Sequence, residues 1–246
     1  IVLVTSGSGG IGDVKLSCER GLKAVVLDVI LMNFEAPSNV HYYRYDITIA
    51  VTIASVAFQI HKDVGTPTLL INNAGVARGM DILDVSEKGI RFTFEVNTLS
   101  SYWMSKEILP AMVKASHSII VTVSSLAAHI TVLEMTDHAA SKATELKTRD
   151  TAPEVRMFIF NQGYIKTPLF KGYKNDSRFL VPTLEQKQWP KLLSRTYWAG
   201  VVESSYHQTL RYQLSFGANS ESIKTKWHGR KVITLSKNKQ LGTSVT

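Results

Sequence analysis

Short apolar, β-branched runs alternate along this chain with stretches of helical spacing. Ile1-Val2-Leu3-Val4-Thr5 is the first such run and predicts a buried strand. A weakly periodic segment, Asp13 to Arg20, predicts a short helix ending at Gly21. Ala24 to Asp28 predicts a second strand, and Val40 to Tyr45, closing on Asp46, a third. From Ile49 to Lys62, residues Ile53, Val56, Ala57 and Ile60 recur at helical intervals. Gly65-Thr66-Pro67 reads as a turn before a fourth strand, Thr68 to Asn72. A break and then a long helix through Asn97, Trp103 and Ile108 fill Ser86 to Pro110. Ser118 to Val123 predicts a fifth strand, Ala139 onward a helix that stops early, and Val155 to Phe160 a sixth strand. Helices follow around Leu184 to Arg195, interrupted at Pro190, and around Val201 to Tyr212, with a last strand at Lys231 to Leu235. This alternation predicts an α/β fold, a single doubly wound parallel sheet with helices on both faces. Nothing marks a domain boundary, so residues 1–246 read as one domain, with a mobile polar tail over 236–246.

Composition narrows the setting. At 246 residues, with 44% hydrophobic and 20% charged residues, the chain can bury a sizeable core. Cys18 is the only cysteine, which rules out an internal disulfide and suits a reducing compartment. There is no unbroken apolar run of about 18 residues, so no membrane span is expected. The chain opens at Ile1 inside a strand, which leaves room for a removed N-terminal anchor. The expected location is intracellular, either cytoplasmic or on the cytoplasmic face of an organelle membrane. A net charge of +8 fits a basic solvated surface, or peripheral contact with an anionic membrane or an acidic ligand. No nucleic-acid reader motif is present, and no metal site is expected.

Chemistry concentrates in two places. Thr5-Ser6-Gly7-Ser8-Gly9-Gly10-Ile11-Gly12 lies between a strand and a helix. Residues without Cβ let backbone N–H groups approach a pyrophosphate, and the helix N-terminus favours its charge. A flexible turn is the plainer alternative. Asp28 ends the second strand, where a carboxylate can accept from both ribose hydroxyls of NAD and repel a 2′-phosphate. It could equally cap a turn, and Arg20 and Lys23 nearby keep NADP open. The second place is Ser124-Ser125, followed by His138-Ala139-Ala140-Ser141-Lys142.

These segments together resemble the short-chain dehydrogenase/reductase family, with its Rossmann-type fold, over roughly residues 1–170. Around Asn97 the likeness is nearest to the retinol and 17β-hydroxysteroid dehydrogenase branch. The resemblance implies a cofactor cradle of Ser6, Gly7, Ser8, Gly10, Ile11 and Gly12, with Asp28 and Val29 at the ribose and Asp46-Ile47 at the adenine. Asn73-Ala74-Gly75 and Val96 would line the cofactor, as would the Gly163, Ile165 and Thr167 loop near the nicotinamide carboxamide. It also implies a catalytic set of Asn97, Ser125, Lys142 and, where the family has tyrosine, His138. In the family the tyrosine moves the hydroxyl proton, the lysine lowers its pKa and binds the nicotinamide ribose, the serine holds the substrate oxygen, and the asparagine supports a water.

Five departures stand out. Ser6 and Gln162 replace a glycine and a proline. The spacings after Gly12 and after Lys142 are short, so the first helix must pack differently, and only Ala143 to Arg149 remains to extend the helix that usually builds the homodimer. His138 is the largest change. Imidazole titrates near pH 6.5, against about 10 for a phenol, and a neighbouring ammonium lowers it further, so a neutral His138 could act as a general base. Imidazole is also shorter than phenol and could simply be packed in a degraded site. Residues 169–215 occupy the place of a substrate lid, whose Leu169, Phe170, Tyr173, Phe179 and Leu180 suit an apolar substrate or core packing. The expectation is therefore an NAD- or NADP-dependent oxidoreductase acting on an apolar alcohol or carbonyl. The alternative is a catalytically impaired homologue that binds nucleotide or a partner.

Overall fold

Six strands hydrogen-bond in parallel in the order β3-β2-β1-β4-β5-β6. They are β1 (Val2–Thr5), β2 (Ala24–Asp28), β3 (Val40–Arg44), β4 (Leu69–Asn72), β5 (Ser118–Ser125) and β6 (Val155–Gln162). The computed structural model describes residues 1–12, 14, 18, 21–31, 36–129, 134–144, 155–163, 165–167, 169, 184–185, 232–234 and 242–244. The chain winds outward from β1 to β3, then returns to lay β4 on the other side of β1. Connections therefore leave the carboxyl ends of β1 and β4 in opposite directions, and a crevice opens there.

Strand pleating divides the core into two layers. Leu3, Val25, Leu27, Leu70 and Ile120 point to one face and Val2, Val4, Val26, Ile71, Val121 and Val123 to the other. The first face is covered by α1 (Ala50–Asp63), through Ile53, Val56 and Ile60, and by α3 (Ser100–Ala115), through Met104, Ile108 and Met112. The second face holds Val14, Phe160 and Ile165.

Local chemistry starts and stops these helices. The Ser86 hydroxyl accepts from the Gly89 N–H at 3.1 Å and caps α2 (Glu87–Phe94). A π-turn over Glu95–Leu99 joins α2 to α3 without a break, and Pro110 sits inside α3. The expected interruption between Ser86 and Pro110 is thus one widened turn. Ser116, at φ 61°, ends α3 in the left-handed conformation.

Other expectations shift. β5 runs through Ser125, two residues beyond the apolar run, because its backbone still pairs with Asn161 and Gln162. The helix α4 is Thr136–Lys142, starting three residues before Ala139 and leaving Ala143 as a turn rather than helix. Leu184–Glu185, expected as the start of a helix, is a strand (β8) paired with β7 (Ile165–Lys166), where tertiary pairing overrides local spacing. In the expected tail, Gly242–Ser244 (β10) pairs antiparallel with β9 (Val232–Thr234), since ladder bonds need no apolar side chains. Most of the expected helices at 13–20, 186–195 and 201–212, and nearly all of the 169–215 lid, lie outside the described residues. Among the described residues no helix is long and apolar enough to cross a membrane, and no cluster of metal ligands occurs.

Candidate active site

The glycine loop is laced to β4. Thr5 Oγ1 accepts from the backbone N–H groups of Asn73 and Ala74, both at 3.0 Å. Asn73 Nδ2 donates to Thr5 O at 3.0 Å and Ser6 O at 3.1 Å. Gly12 lies inside this lacing, where a Cβ would fall 2.3 Å from Ser6 O and 2.4 Å from Asn73 Nδ2. By contrast, a Cβ on Gly9 or Gly10 would meet nothing within 4 Å, so the loop has an open side. A Cβ on Gly7 would fall 3.1 Å from the Val26 side chain. Ser6 adopts φ 56°, a left-handed conformation that costs a residue with Cβ about 1 kcal/mol. It holds that conformation while its N–H donates to Leu27 O at 2.7 Å. The loop's shape suits a pyrophosphate, with Ser6 strained in place of the usual glycine.

Asp28 is buried and already engaged. Its carboxylate accepts from the Ser8 N–H at 3.1 Å and the Ile30 N–H at 3.2 Å. Each oxygen keeps a lone pair for a ribose hydroxyl. Ser8 Oγ and Tyr42 OH both donate to Ile30 O, at 3.1 and 2.7 Å, which fixes the segment that includes Val29. The cation at this edge is Arg44, whose Nε donates to Val29 O at 3.2 Å. Sequence reasoning pointed to Arg20, which lies outside the described residues, and to Lys23. Arg44 carried no signal in the sequence, because the register that sets it opposite Asp28 across β2 and β3 belongs to the fold. Asp46 accepts from the Thr48 N–H at 2.9 Å and hydroxyl at 2.7 Å, forming the turn before α1. The side chains of Ile47 and Ile165 are in the core.

At the other end of the crevice, α4 carries His138 and Lys142 one turn apart. Lys142 Nζ donates to Val123 O at 2.8 Å, and a Cβ on Gly75 would lie only 3.2 Å from it. The lysine thus reaches past the turn after β4 to the mouth of the crevice. Burial lowers its pKa from 10.5 to about 8. Asn97 projects from the π-turn. Its Oδ1 accepts from the Val76 N–H at 2.7 Å, and its Nδ2 donates to Val76 O at 3.0 Å and Ser141 Oγ at 2.8 Å. Neighbouring Val96 is buried.

His138 is 1% exposed, and its Nδ1 lies 2.8 Å from Val76 O. A carbonyl only accepts, so this short contact, against the longer 3.4 Å approach of Asn97 Nδ2, assigns the proton to Nδ1 and the lone pair to Nε2. Burial, with a smaller push from the Lys142 charge, drives its pKa down to about 4 against the opposing Val76 bond and Asp137 charge. The imidazole is therefore neutral at neutral pH. Ser125 ends β5, and its hydroxyl accepts from the Ala127 N–H at 3.1 Å, leaving its own proton to donate. Asn161 and Gln162 stand beside Ser124 and Ser125 on β6, each with a buried side-chain oxygen that has no hydrogen-bond partner among the described residues. Gly163 is buried and Thr167 half-buried just beyond them.

The structure gathers Asn97, His138 and Lys142 around the Gly75-Val76 backbone. It shows no hydrogen bond between Ser125 and His138 among the described contacts. Two supporting residues escaped the sequence reading: Thr98 donates to Ser141 O at 2.8 Å and Thr93 to Asp137 Oδ2 at 2.7 Å, while Ser124, read only as half of a serine pair, donates to Lys142 O. Their only sequence signal is a small hydroxyl within a turn of the motif, which is too common to be read.

Comparison with known proteins agrees with this geometry. The family model described as short chain dehydrogenase matches residues 1–178. Dehydrogenase RED2 of Cochliobolus heterostrophus is 40% identical over 147 residues, covering 58% of this chain and 56% of that protein. Estradiol 17-beta-dehydrogenase 11 of Homo sapiens is 31% identical over 204 residues, covering 76% of this chain and 68% of that protein. Epidermal retinol dehydrogenase 2 of Mus musculus is 31% identical over 206 residues, covering 75% and 66%. The chain thus spans between 56% and 68% of the length of these relatives. Among solved structures, 3-ketoacyl-(acyl-carrier-protein) reductase from Brucella melitensis, complexed with NADH, has the same fold, with a TM-score of 0.72. The match is 19% identical and covers 79% of this chain and 88% of that one.

Proposed function

This chain belongs to the short-chain dehydrogenase family, on the branch of the retinol and 17β-hydroxysteroid dehydrogenases, and from that premise we propose that it is an NAD(P)-dependent oxidoreductase. It interconverts an alcohol and a carbonyl on an apolar molecule of lipid, retinoid or steroid type. The observation that carries this reading is the Lys142 ammonium at Gly75, on the same crevice as the loop that Asn73 ties down. The substrate class rests on the names of the relatives.

The residues present fit a dinucleotide. The open side of Gly9 and Gly10 would hold the pyrophosphate, Asp28 the adenosine ribose, Lys142 the nicotinamide ribose, and the Ile165 and Thr167 backbone the carboxamide. Bound there, the nicotinamide supplies hydride exchange with the substrate carbon. Asp28 favours NAD, while Arg44 beside it gives NADP a foothold. Ser125 orients the substrate oxygen with its hydroxyl proton. Asn97 grips both polar groups of Val76, and Val76 O in turn holds the His138 ring. With its proton on Nδ1, His138 would take the alcohol proton at Nε2 and return it in the reverse reaction. Peripheral contact with a membrane on its cytoplasmic face fits the +8 charge and an apolar substrate. A homodimer built on the helix after Lys142 is not part of this reading, because α4 ends at Lys142.

One observation favours a second reading. The His138 Nδ1 is spent on Val76 O, so a nucleotide-binding protein without turnover would have the same cradle. Fluorescence titration with NADH and NADPH, followed by oxidation assays on long-chain alcohols, retinol and hydroxysteroids, decides between them. We expect NADH to bind more tightly and oxidation to vanish in His138→Ala. Turnover that appears only in His138→Tyr would establish the second reading, and absence of dinucleotide binding would overturn both.

A further inference from the structure

A seven-residue helix has almost no stability of its own, because nucleation costs more than so few bonds return. In α4 that helix must nonetheless hold His138 and Lys142 to within a fraction of an ångström. Side chains from three other elements hold it. At its C-terminal end, the orphan carbonyls of Ser141 and Lys142 accept from the hydroxyls of Thr98 and Ser124. In the middle, Asn97 Nδ2 donates to Ser141 Oγ. At its N-terminal end the grip is different, because it uses a buried carboxylate.

Asp137 is 8% exposed and Thr93 is fully buried. Asp137 Oδ1 accepts the backbone N–H of His138 at 2.8 Å, and Oδ2 accepts from Thr93 Oγ1 at 2.7 Å. Thr93 Oγ1 also lies 3.0 Å from Gly89 O. A hydroxyl has one proton, and the shorter contact to a charged acceptor takes the larger share of it. The carboxylate therefore joins the residue that bears the imidazole to the core of α2. A buried carboxylate is expensive to place and is kept only where its bonds are satisfied. The negative charge also lies in the first turn of α4, where the exposed N–H groups favour it.

We infer that Asp137 and Thr93 are a positioning pair, which sets the backbone of His138 and so aims its imidazole at the reacting hydroxyl. The inference rests on the proposed role of His138 in proton transfer. Neither residue touches substrate or cofactor; both act through the His138 N–H. The pair matters more in this chain because α4 has no further turns after Lys142 to anchor it.

The test uses the full chain carrying Asp137→Ala, Asp137→Asn and Thr93→Val. Asparagine keeps an oxygen for the His138 N–H, and valine keeps the shape of threonine without its donor. Three quantities are measured: kcat for alcohol oxidation, NADH affinity by fluorescence, and the imidazole nitrogen shifts of His138 in the free protein, assigned with His138→Gln. Asp137→Ala should lower kcat by at least about tenfold, the scale on which ångström misplacements act, while NADH affinity stays within about twofold. Its His138 shifts should move away from the pure Nδ1–H form. Asp137→Asn should restore most of both, and Thr93→Val should fall between. Unchanged kcat and shifts in Asp137→Ala and Thr93→Val overturn the inference, as do equal losses in Asp137→Asn and Asp137→Ala. If Asp137→Ala does not fold, Thr93→Val decides alone. If the wild-type chain turns over no substrate, the proposed function fails, while the nitrogen shifts still test the pair.

Discussion

Lowering the pH should destabilise this protein through one buried ring, and replacing that ring should remove the effect. His138 titrates near 6.5 in an unfolded chain and at about 4 in the fold, chiefly because burial penalises its charged form. Between those values the unfolded state binds more protons, so stability is full above pH 6.5 and is lost as pH falls toward 4. Integrating the linkage from pH 7 to pH 4.5 gives a loss of roughly 2.5 kcal/mol from this residue. At 1% exposure the ring is not screened by solvent. Lys142 stays protonated throughout this window, and Asp137 is present in both proteins compared, so neither creates a difference. Urea unfolding of the wild type and His138→Gln at pH 7, 5.5 and 4.5 isolates the ring. Glutamine can still donate to Val76 O, and carboxylates elsewhere contribute equally to both proteins and cancel. The stability gap between the two should shift by roughly 2.5 kcal/mol in favour of His138→Gln by pH 4.5. A gap constant to within about 0.5 kcal/mol across that range would refute a buried neutral imidazole.

Three further outcomes follow from the same contacts. Gly12→Ala places a Cβ against Ser6 O and Asn73 Nδ2, so Asn73 must release its bonds to the loop; about 2–4 kcal/mol of stability should go in denaturant melts, with a large rise in the Kd for NADH. Lys142→Met removes a buried ammonium whose pKa has fallen from 10.5 to about 8. The unfolded chain holds that proton more tightly from pH 8 to 10.5, so wild-type stability rises with pH through that window. At pH 7 the variant should gain roughly 2 kcal/mol while losing NADH affinity, measured by melts and fluorescence. Gln162→Met keeps the volume and deletes a buried oxygen without a partner among the described residues, and should raise stability by about 1–2 kcal/mol in urea unfolding.

Much of the cofactor half was legible along the chain because its signals are local. The backbone of a glycine loop between a strand and a helix, an acid ending β2 and an Asn-Asn-Ala-Gly turn after β4 each carry their chemistry within a few residues. Six runs of strand-forming residues likewise declared six strands; β1, β2, β4 and β5 are almost wholly buried, while β3 and the first half of β6 are only half-buried. The proton-transfer half was less legible. His138 was visible as a histidine in the tyrosine's place, but its protonation followed from burial and from Val76, which is 62 residues away in sequence. The same holds for Thr93, 44 residues from Asp137, and for Arg44, which meets Val29 only because β2 and β3 are in register. Local residue types and spacings determined most of the elements and the parallel sheet. Tertiary packing alone decided which nitrogen of His138 holds the proton, because that depends on which distant carbonyl the fold brings to it and on how completely the fold excludes water.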